Sequence, residues 1–152
     1  MNKRNIEDYS IKVVNDFSAA HFISEISEGL HGHNFKVIVR VFGGLGENFM
    51  VLDFRDVEAV LAEICEEMDH KIIVPEKSKD IKIMKSEDSI ELKLSDKKRY
   101  VFPKKDVVLL PIESNTTELI AYYIHSRLKK KISGKIKVTL TEKENYSAEF
   151  VG

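Results

Sequence analysis

Three of the chain's five histidines fall within thirteen residues. His21 closes the stretch Phe17-Ser-Ala-Ala-His21-Phe22, while His31 and His33 flank a glycine in Leu30-His31-Gly32-His33-Asn34. A spacing of two puts His31 and His33 on one face of an extended strand, and Gly32 between them keeps side-chain bulk away from a bound ion. An antiparallel neighbour carrying His21 would bring a third imidazole opposite the pair. Three neutral imidazoles with a fourth position open are the ligand set of a catalytic zinc rather than a closed structural one. The same spacing is also compatible with three unrelated surface or core histidines.

The rest of the composition narrows the class. A chain of 152 residues is long enough for one domain with a real core. Lys and Arg number 24 against 25 Asp and Glu, a net charge of -1, without the basic excess of a nucleic-acid surface. The only cysteine, Cys65, excludes an internal disulfide framework and fits a reducing compartment. Its place on the apolar stripe of a helix makes it a buried, inert thiol rather than a nucleophile. With no apolar run of about eighteen residues and no signal-peptide core, the chain reads as soluble and cytoplasmic.

The elements that must position the histidines follow from hydrophobic periodicity. Ile11 to Phe17 is an apolar strand run ending at Ser18-Ala19-Ala20. Phe35 to Phe42 alternates, with Phe35, Val37, Val39 and Val41 on one face. Gly43-Gly44-Leu45-Gly46 lacks the lysine and following helix of a phosphate loop and predicts a hairpin turn into a short strand, Met50-Val51-Leu52. Asp53 can cap a helix reaching about Met68, whose stripe is Val57, Val60, Leu61, Ile64, Cys65 and Met68. A second helix begins near Thr117, with Asn115 and Glu118 as a capping box and Leu119, Ile120, Tyr123, Ile124 and Leu128 as its stripe. Ser133-Gly134 ends it. Strands follow over Ile136 to Leu140 and near Ser147 to Val151, joined by a turn too short for a parallel crossover. The lysine-rich stretch from Pro75 to Pro111 carries one hairpin-like pair, Ser89 to Leu94 and Arg99 to Phe102, and reads as a solvated decoration, with a lid or an assembly contact as the other reading.

Six motifs in order give this chain a resemblance to the 6-pyruvoyl-tetrahydropterin synthase / 6-carboxy-tetrahydropterin synthase family. They are the Phe17-Ser-Ala-Ala-His21 entry, His31-Gly32-His33-Asn34-Phe35, Met50-Val-Leu-Asp-Phe54, Met68-Asp69-His70, Asn115-Thr116-Thr117-Glu118, and Glu142 after the penultimate strand. The resemblance implies an α+β tunnelling fold of order ββααββ: an antiparallel four-stranded sheet with two helices on one face, here with a β-hairpin insertion over about residues 75–111 between the helices. It implies a homohexamer, a dimer of trimers, in which sheets close on one another and hide their edges. It further implies zinc on His21, His31 and His33, an acid/base pair in Asp69 and His70, and a pterin held by Glu142 with Thr116 and Thr117. Without the resemblance, Asp69-His70 is a polar helix end and the two threonines are helix-start residues. Glu144, two residues beyond Glu142, would share its face if the strand continued.

One departure from the family pattern bears on the reaction. The pyruvoyl and carboxy branches carry a catalytic cysteine before His-Gly-His, and this chain has Glu25-Ile-Ser27-Glu28-Gly-Leu-His31 instead. Glu28 matches a variant branch that carries a glutamate there. That branch is associated with converting 7,8-dihydroneopterin triphosphate to 6-hydroxymethyl-7,8-dihydropterin, towards folate-type cofactors. Ser27 has no adjacent base and is a poor proton acceptor. The segment Ser24 to Leu30 is polar and glycine-broken, and predicts a mobile loop. The expected activity is therefore a zinc-dependent pterin lyase with Glu28 as base. The 6-carboxy- or 6-pyruvoyl-tetrahydropterin synthase reactions, and a non-catalytic pterin-binding oligomer, remain the alternatives.

Overall fold

The computed structural model describes residues 8–152. Among these the order is β1 (Tyr9–Ile23), β2 (Glu28–Gly43), α1 (Phe54–Met68), β3 (Lys71–Pro75), β4 (Ile81–Lys85), β5 (Ser89–Leu94), β6 (Arg99–Pro103), β7 (Val107–Leu110), α2 (Thr117–Lys129), β8 (Lys135–Lys143) and β9 (Tyr146–Val151). The β1–β2 hairpin is the longest pairing, running from Tyr9↔Gly43 to His21↔His31 with Phe17 opposite Phe35. β2 pairs antiparallel with β8, and β8 with β9. These four are the antiparallel sheet expected from the sequence.

The sheet is nevertheless larger than four strands. Its order is β7-β3-β1-β2-β8-β9, because β3 joins the free edge of β1 and β7 joins β3, both in parallel. Periodicity could not reveal this: β3 and β7 have 5 and 4 residues, too short to show a period. A second correction concerns Met50 to Leu52, which form no strand. Both edges of β2 are already taken, by β1 and by β8, so no lateral position is left for a hairpin partner. The glycines instead open a loop in which the Gly46 amide donates to the Met50 carbonyl at 2.9 Å and the chain passes directly to α1.

Period-two alternation decides what the sheet buries. On β1 the odd-numbered residues turn inward, ending with Phe17, Ala19 and His21 fully shielded. Phe35, Val37, Val39 and Val41 of β2 and Ile136, Val138 and Leu140 of β8 point the same way. Both helices cover this face and share one core with it, through Val57, Leu61, Ile64, Cys65 and Met68 of α1 and Ile120, Ile124 and Leu128 of α2. Arg127 of α2 ties the helices by donating to both carboxylate oxygens of Glu67 on α1. Asp53 caps α1 as expected, accepting from the Arg55 amide at 2.9 Å. The cap of α2 is Thr116, whose hydroxyl accepts from the Leu119 amide; Asn115 is not the cap, because its side chain is turned into the interior.

The stretch from 75 to 111 is more than a solvated hairpin. β5 and β6 are its two expected strands, but β4 adds a third antiparallel to β5. This small sheet has its own core of Ile81, Ile90, Leu92 and Leu94 against Phe22 and Val74 of the main sheet. Tyr100 stacks on Phe22 with ring centres 5.2 Å apart, and Phe102 continues the stack at 5.6 Å.

Candidate metal and pterin site

The inward faces of three strands change character at the same end of the sheet. Along β1 and β2 the opposed pairs are Phe17–Phe35, then Ala19–His33, then His21–His31. The aromatic pair, stacked at 5.0 Å, is thus followed directly by imidazoles, with the small Ala19 leaving room above His33. On β8 the inward row Ile136, Val138, Leu140 continues to Glu142. Gly32 pairs with Ala20 and lies on the other face, so its lack of a side chain clears space behind the histidines and not in front of them.

The three rings lie with centres 4.6–5.2 Å apart, and one nitrogen from each falls within 4.8 Å of the others. His21 Nδ1 is 3.0 Å from the Asn115 carbonyl, and His31 Nδ1 is 2.6 Å from the Gly29 carbonyl. A carbonyl only accepts, so each Nδ1 carries the hydrogen and each neutral ring has a bare Nε2. Yet His21 Nε2 and His31 Nε2 face each other at 3.0 Å. His33 Nε2 is buried without a hydrogen-bond partner, 3.3 Å from Glu142 Oε1. Lone pairs converging in this way repel unless a cation lies among them. Zinc–nitrogen bonds of about 2.0–2.1 Å place tetrahedral ligand atoms roughly 3.4 Å apart, near the 3.0 Å between His21 and His31 and inside the 4.8 Å that bounds all three. The residues therefore fit a zinc ion.

Carboxylates border the triad on two sides. Glu28 Oε1 lies 3.0 Å from His31 Nε2. Its segment is not a loose loop: Ser24–Ile26 form a single 3-10 turn, Ser27 takes a left-handed φ of 55°, and Glu28 opens β2 opposite Ile23. Glu142 Oε2 accepts from the Thr117 hydroxyl at 2.7 Å. Glu142, Thr116, Thr117, Ile23, Glu25 and Tyr146 share a cleft of about 500 Å³. Glu144 lies exposed in the turn beyond β8, away from it.

Among the described residues, Asp69 and His70 make no hydrogen bond or ion pair with the three histidines. Asp69 ends α1, accepts from the Ser18 amide at 2.8 Å, and holds His70 Nδ1 at 2.8 Å. His70 has a left-handed φ of 59° and an 83% exposed side chain. It opens onto a second cleft of about 490 Å³, lined also by Ser18, Ala20, Asn34 and Asp106 and bordered by Gly32 and His33 of the triad strand. The Ser18 amide, followed by His70, holds the Asp69 carboxyl below its usual range. Cys65 is 2% exposed, and burial pushes its thiol up to about 12. Residues missed by sequence reasoning are Ser114, whose hydroxyl donates to Glu25 at 2.9 Å, and Asn115 in its interior role. No periodicity marks either one.

Burial also lowers the affinity of His21 and His33 for protons, only partly offset by the Asn115 carbonyl and by Glu142 respectively. Unfolding restores their ordinary value of 6.5. The unfolded chain then binds more protons just below that value, so stability falls as pH drops. Thermal unfolding of metal-free protein should show a melting temperature that holds above about pH 7 and declines from about pH 6.5 downward. That onset lies well above the range in which carboxylates titrate.

Comparison with known proteins matches this architecture. The family model described as 6-pyruvoyl tetrahydropterin synthase matches residues 10–152. A protein of Pyrococcus horikoshii provisionally named a 6-carboxy-5,6,7,8-tetrahydropterin synthase is 30% identical, over 98% of this chain and 94% of its own. A Methanocaldococcus jannaschii protein with the same provisional name is 33% identical over 74% of this chain and 70% of its own. The 6-pyruvoyl tetrahydropterin synthase of Plasmodium vivax superposes with a TM-score of 0.86 at 28% identity, covering 95% of this chain and 99% of that one. Two further structures of the Plasmodium vivax protein carry alanine or cysteine in place of a glutamate described as a catalytic residue. Members of the family are lyases of pterin metabolism, and no helix among the described residues is long and apolar enough to cross a membrane. This chain belongs to the 6-pyruvoyl tetrahydropterin synthase family.

Proposed function

We propose that the chain is a zinc-dependent lyase that converts 7,8-dihydroneopterin triphosphate to 6-hydroxymethyl-7,8-dihydropterin. The observation that carries this reading is the Glu28 carboxylate 3.0 Å from His31 Nε2, at a position where no cysteine is present. The catalytic glutamate of the Plasmodium vivax relative supports it. Zinc on His21, His31 and His33 would make a bound hydroxyl more acidic, as it does water. Glu28 then takes the proton of the substrate's 2'-hydroxyl. The freed O–H electron pair becomes the carbonyl at C2', the C1'–C2' bond breaks, and its electrons enter the conjugated dihydropterin. A proton returned to C1' completes the hydroxymethyl group, and the other product is a two-carbon aldehyde bearing the triphosphate. A carboxylate is a weaker base than a thiolate, which suits an acidified O–H better than a C–H bond.

The remaining roles follow from placement. Glu142 would accept two parallel N–H donors from the 2-amino-4-oxo edge of the pterin, with its carboxylate steadied by Thr117 and with Thr116 beside it in the cleft. Asp69 and His70 make no bond to their own triad, and would serve as acid/base pair for the site of a neighbouring subunit. The assembly proposed is a homohexamer of two trimers. A second reading, 6-carboxy-tetrahydropterin synthase, is favoured by the provisional names of the archaeal relatives. Mass spectrometry of the product formed by zinc-loaded protein separates the two readings.

Glu28→Gln keeps the shape and removes the basicity, so kcat should fall by about 10²–10⁴ with zinc content unchanged; an unchanged rate removes Glu28 from the reaction and favours the carboxy reading. Glu142→Ala should weaken pterin binding by on the order of 2–5 kcal/mol in calorimetry while zinc stays bound, and Glu144→Ala should not. Light scattering of active protein should give the mass of a hexamer. An active monomer would sink the shared-site assignment of Asp69 and His70.

A further inference from the structure

Asn115 is among the most deeply buried polar residues, at 1% exposure, and none of the roles above uses its side chain. Its carboxamide nitrogen donates to two main-chain carbonyls, Ile73 at 2.8 Å and Phe22 at 3.3 Å. Those carbonyls lie where the sheet opens. β1 and β3 pair only at Ala19↔Lys71 and Ala20↔Ile72, and beyond them the two strands part. The two hydrogens of one carboxamide bridge this gap, satisfying a carbonyl on each side. Its oxygen has no partner, so those two donated bonds are what hold the side chain. The same residue's own carbonyl accepts from His21 Nδ1 at 3.0 Å.

We propose that Asn115 is a positioning residue for the metal ligand His21: its side chain pins the main chain to β1 and β3 so that its carbonyl holds the hydrogen on His21 Nδ1 and leaves Nε2 bare for the ion. The proposal rests on the zinc reading of the histidines. A metal-bound histidine needs its second nitrogen fixed by an outer acceptor, and here the acceptor is a main-chain atom that no side-chain substitution deletes. What substitution can remove is the anchoring of that atom. The neighbours of Asn115 bear on the same centre, since Ser114 donates to Glu25, Thr116 caps α2 and Thr117 donates to Glu142. A shift of Asn115 would therefore be felt first at His21, the one ligand attached to it.

The test is Asn115→Ala, which removes both donors and keeps the carbonyl. Zinc affinity, measured by competition with a chromophoric chelator, should fall by about 10–100-fold. In metal-free protein with ¹⁵N-labelled histidine, the His21 ring should change from a single Nδ1-H tautomer to a mixture. A packing role alone would lower the melting temperature and move neither readout. Wild-type affinity together with a single tautomer in the folded variant overturns the proposal. If Asn115→Ala does not fold, Asn115→Ser, which retains one hydroxyl donor, is measured in the same way and should lose part of the affinity; no loss and no tautomer change overturns the proposal there too. Failure of the wild-type protein to bind zinc would overturn the zinc reading instead, and the tautomer measurement in metal-free protein would still decide the role of Asn115.

Discussion

The antiparallel register of β1 against β2 is the constraint from which the site follows. With Phe17 opposite Phe35, His21 must lie opposite His31, and His33 must lie opposite Ala19. A slip by one residue would turn every one of these side chains to the other face. The aromatic stack and the valines beneath the helices oppose that slip, since it would expose them to water. The hydrophobic core therefore does more than stabilise the sheet. It sets the relative positions of the imidazoles, two of which, His21 and His33, pack edge-on against Phe35 at its margin.

Converging three imidazoles has an electrostatic cost that the surroundings partly determine. Burial disfavours the protonated rings of His21 and His33, and carbonyls from Asn115 and Gly29 fix the hydrogens of His21 and His31 on the outer nitrogens. The result is a set of bare nitrogens facing one another, a poor arrangement for a protein alone and a good one for a divalent cation. Glu28 and Glu142 add negative charge at the rim of this centre without entering the helix-covered core.

The candidate groups are divided around the sheet. The helix-covered face has the histidines, Glu28 and Glu142; the Asp69–His70 pair hangs at the edge of β1 with its imidazole open to solvent. The sheet ends in two short or exposed strands, β7 and β9. Association through such edges would hide their unpaired main-chain groups. The inserted sheet packs against Ile72 of β3 and Val107 and Leu109 of the edge strand β7. Through Tyr100 on Phe22 it packs behind the residue next to His21, on the side opposite the helices' core.

Much was legible from local pattern. Alternation identified the inward rows of β1, β2 and β8, the 3.6-residue stripes identified both helices, and a two-residue spacing put His31 and His33 on one face, because each of these depends only on the geometry of a single element. Asp53 as a cap has the same local origin. Other features depend on which elements become neighbours. β3 and β7 are strands because β1 has a free edge; Met50 to Leu52 are not, because β2 has none. Asn115 has the composition of a helix cap, yet two carbonyls left open by the parting of β1 and β3 draw it inward and give the cap to Thr116. Likewise Asp69 and His70 are adjacent to α1 in sequence, and only the parallel seating of β3 on β1 decides that His70 opens onto a different cleft from Glu142. Residue type and spacing determined which groups can bind a metal and move a proton; tertiary structure decided which of them meet, since main-chain hydrogen bonds left unsatisfied by one element are filled by whichever neighbour the packing supplies.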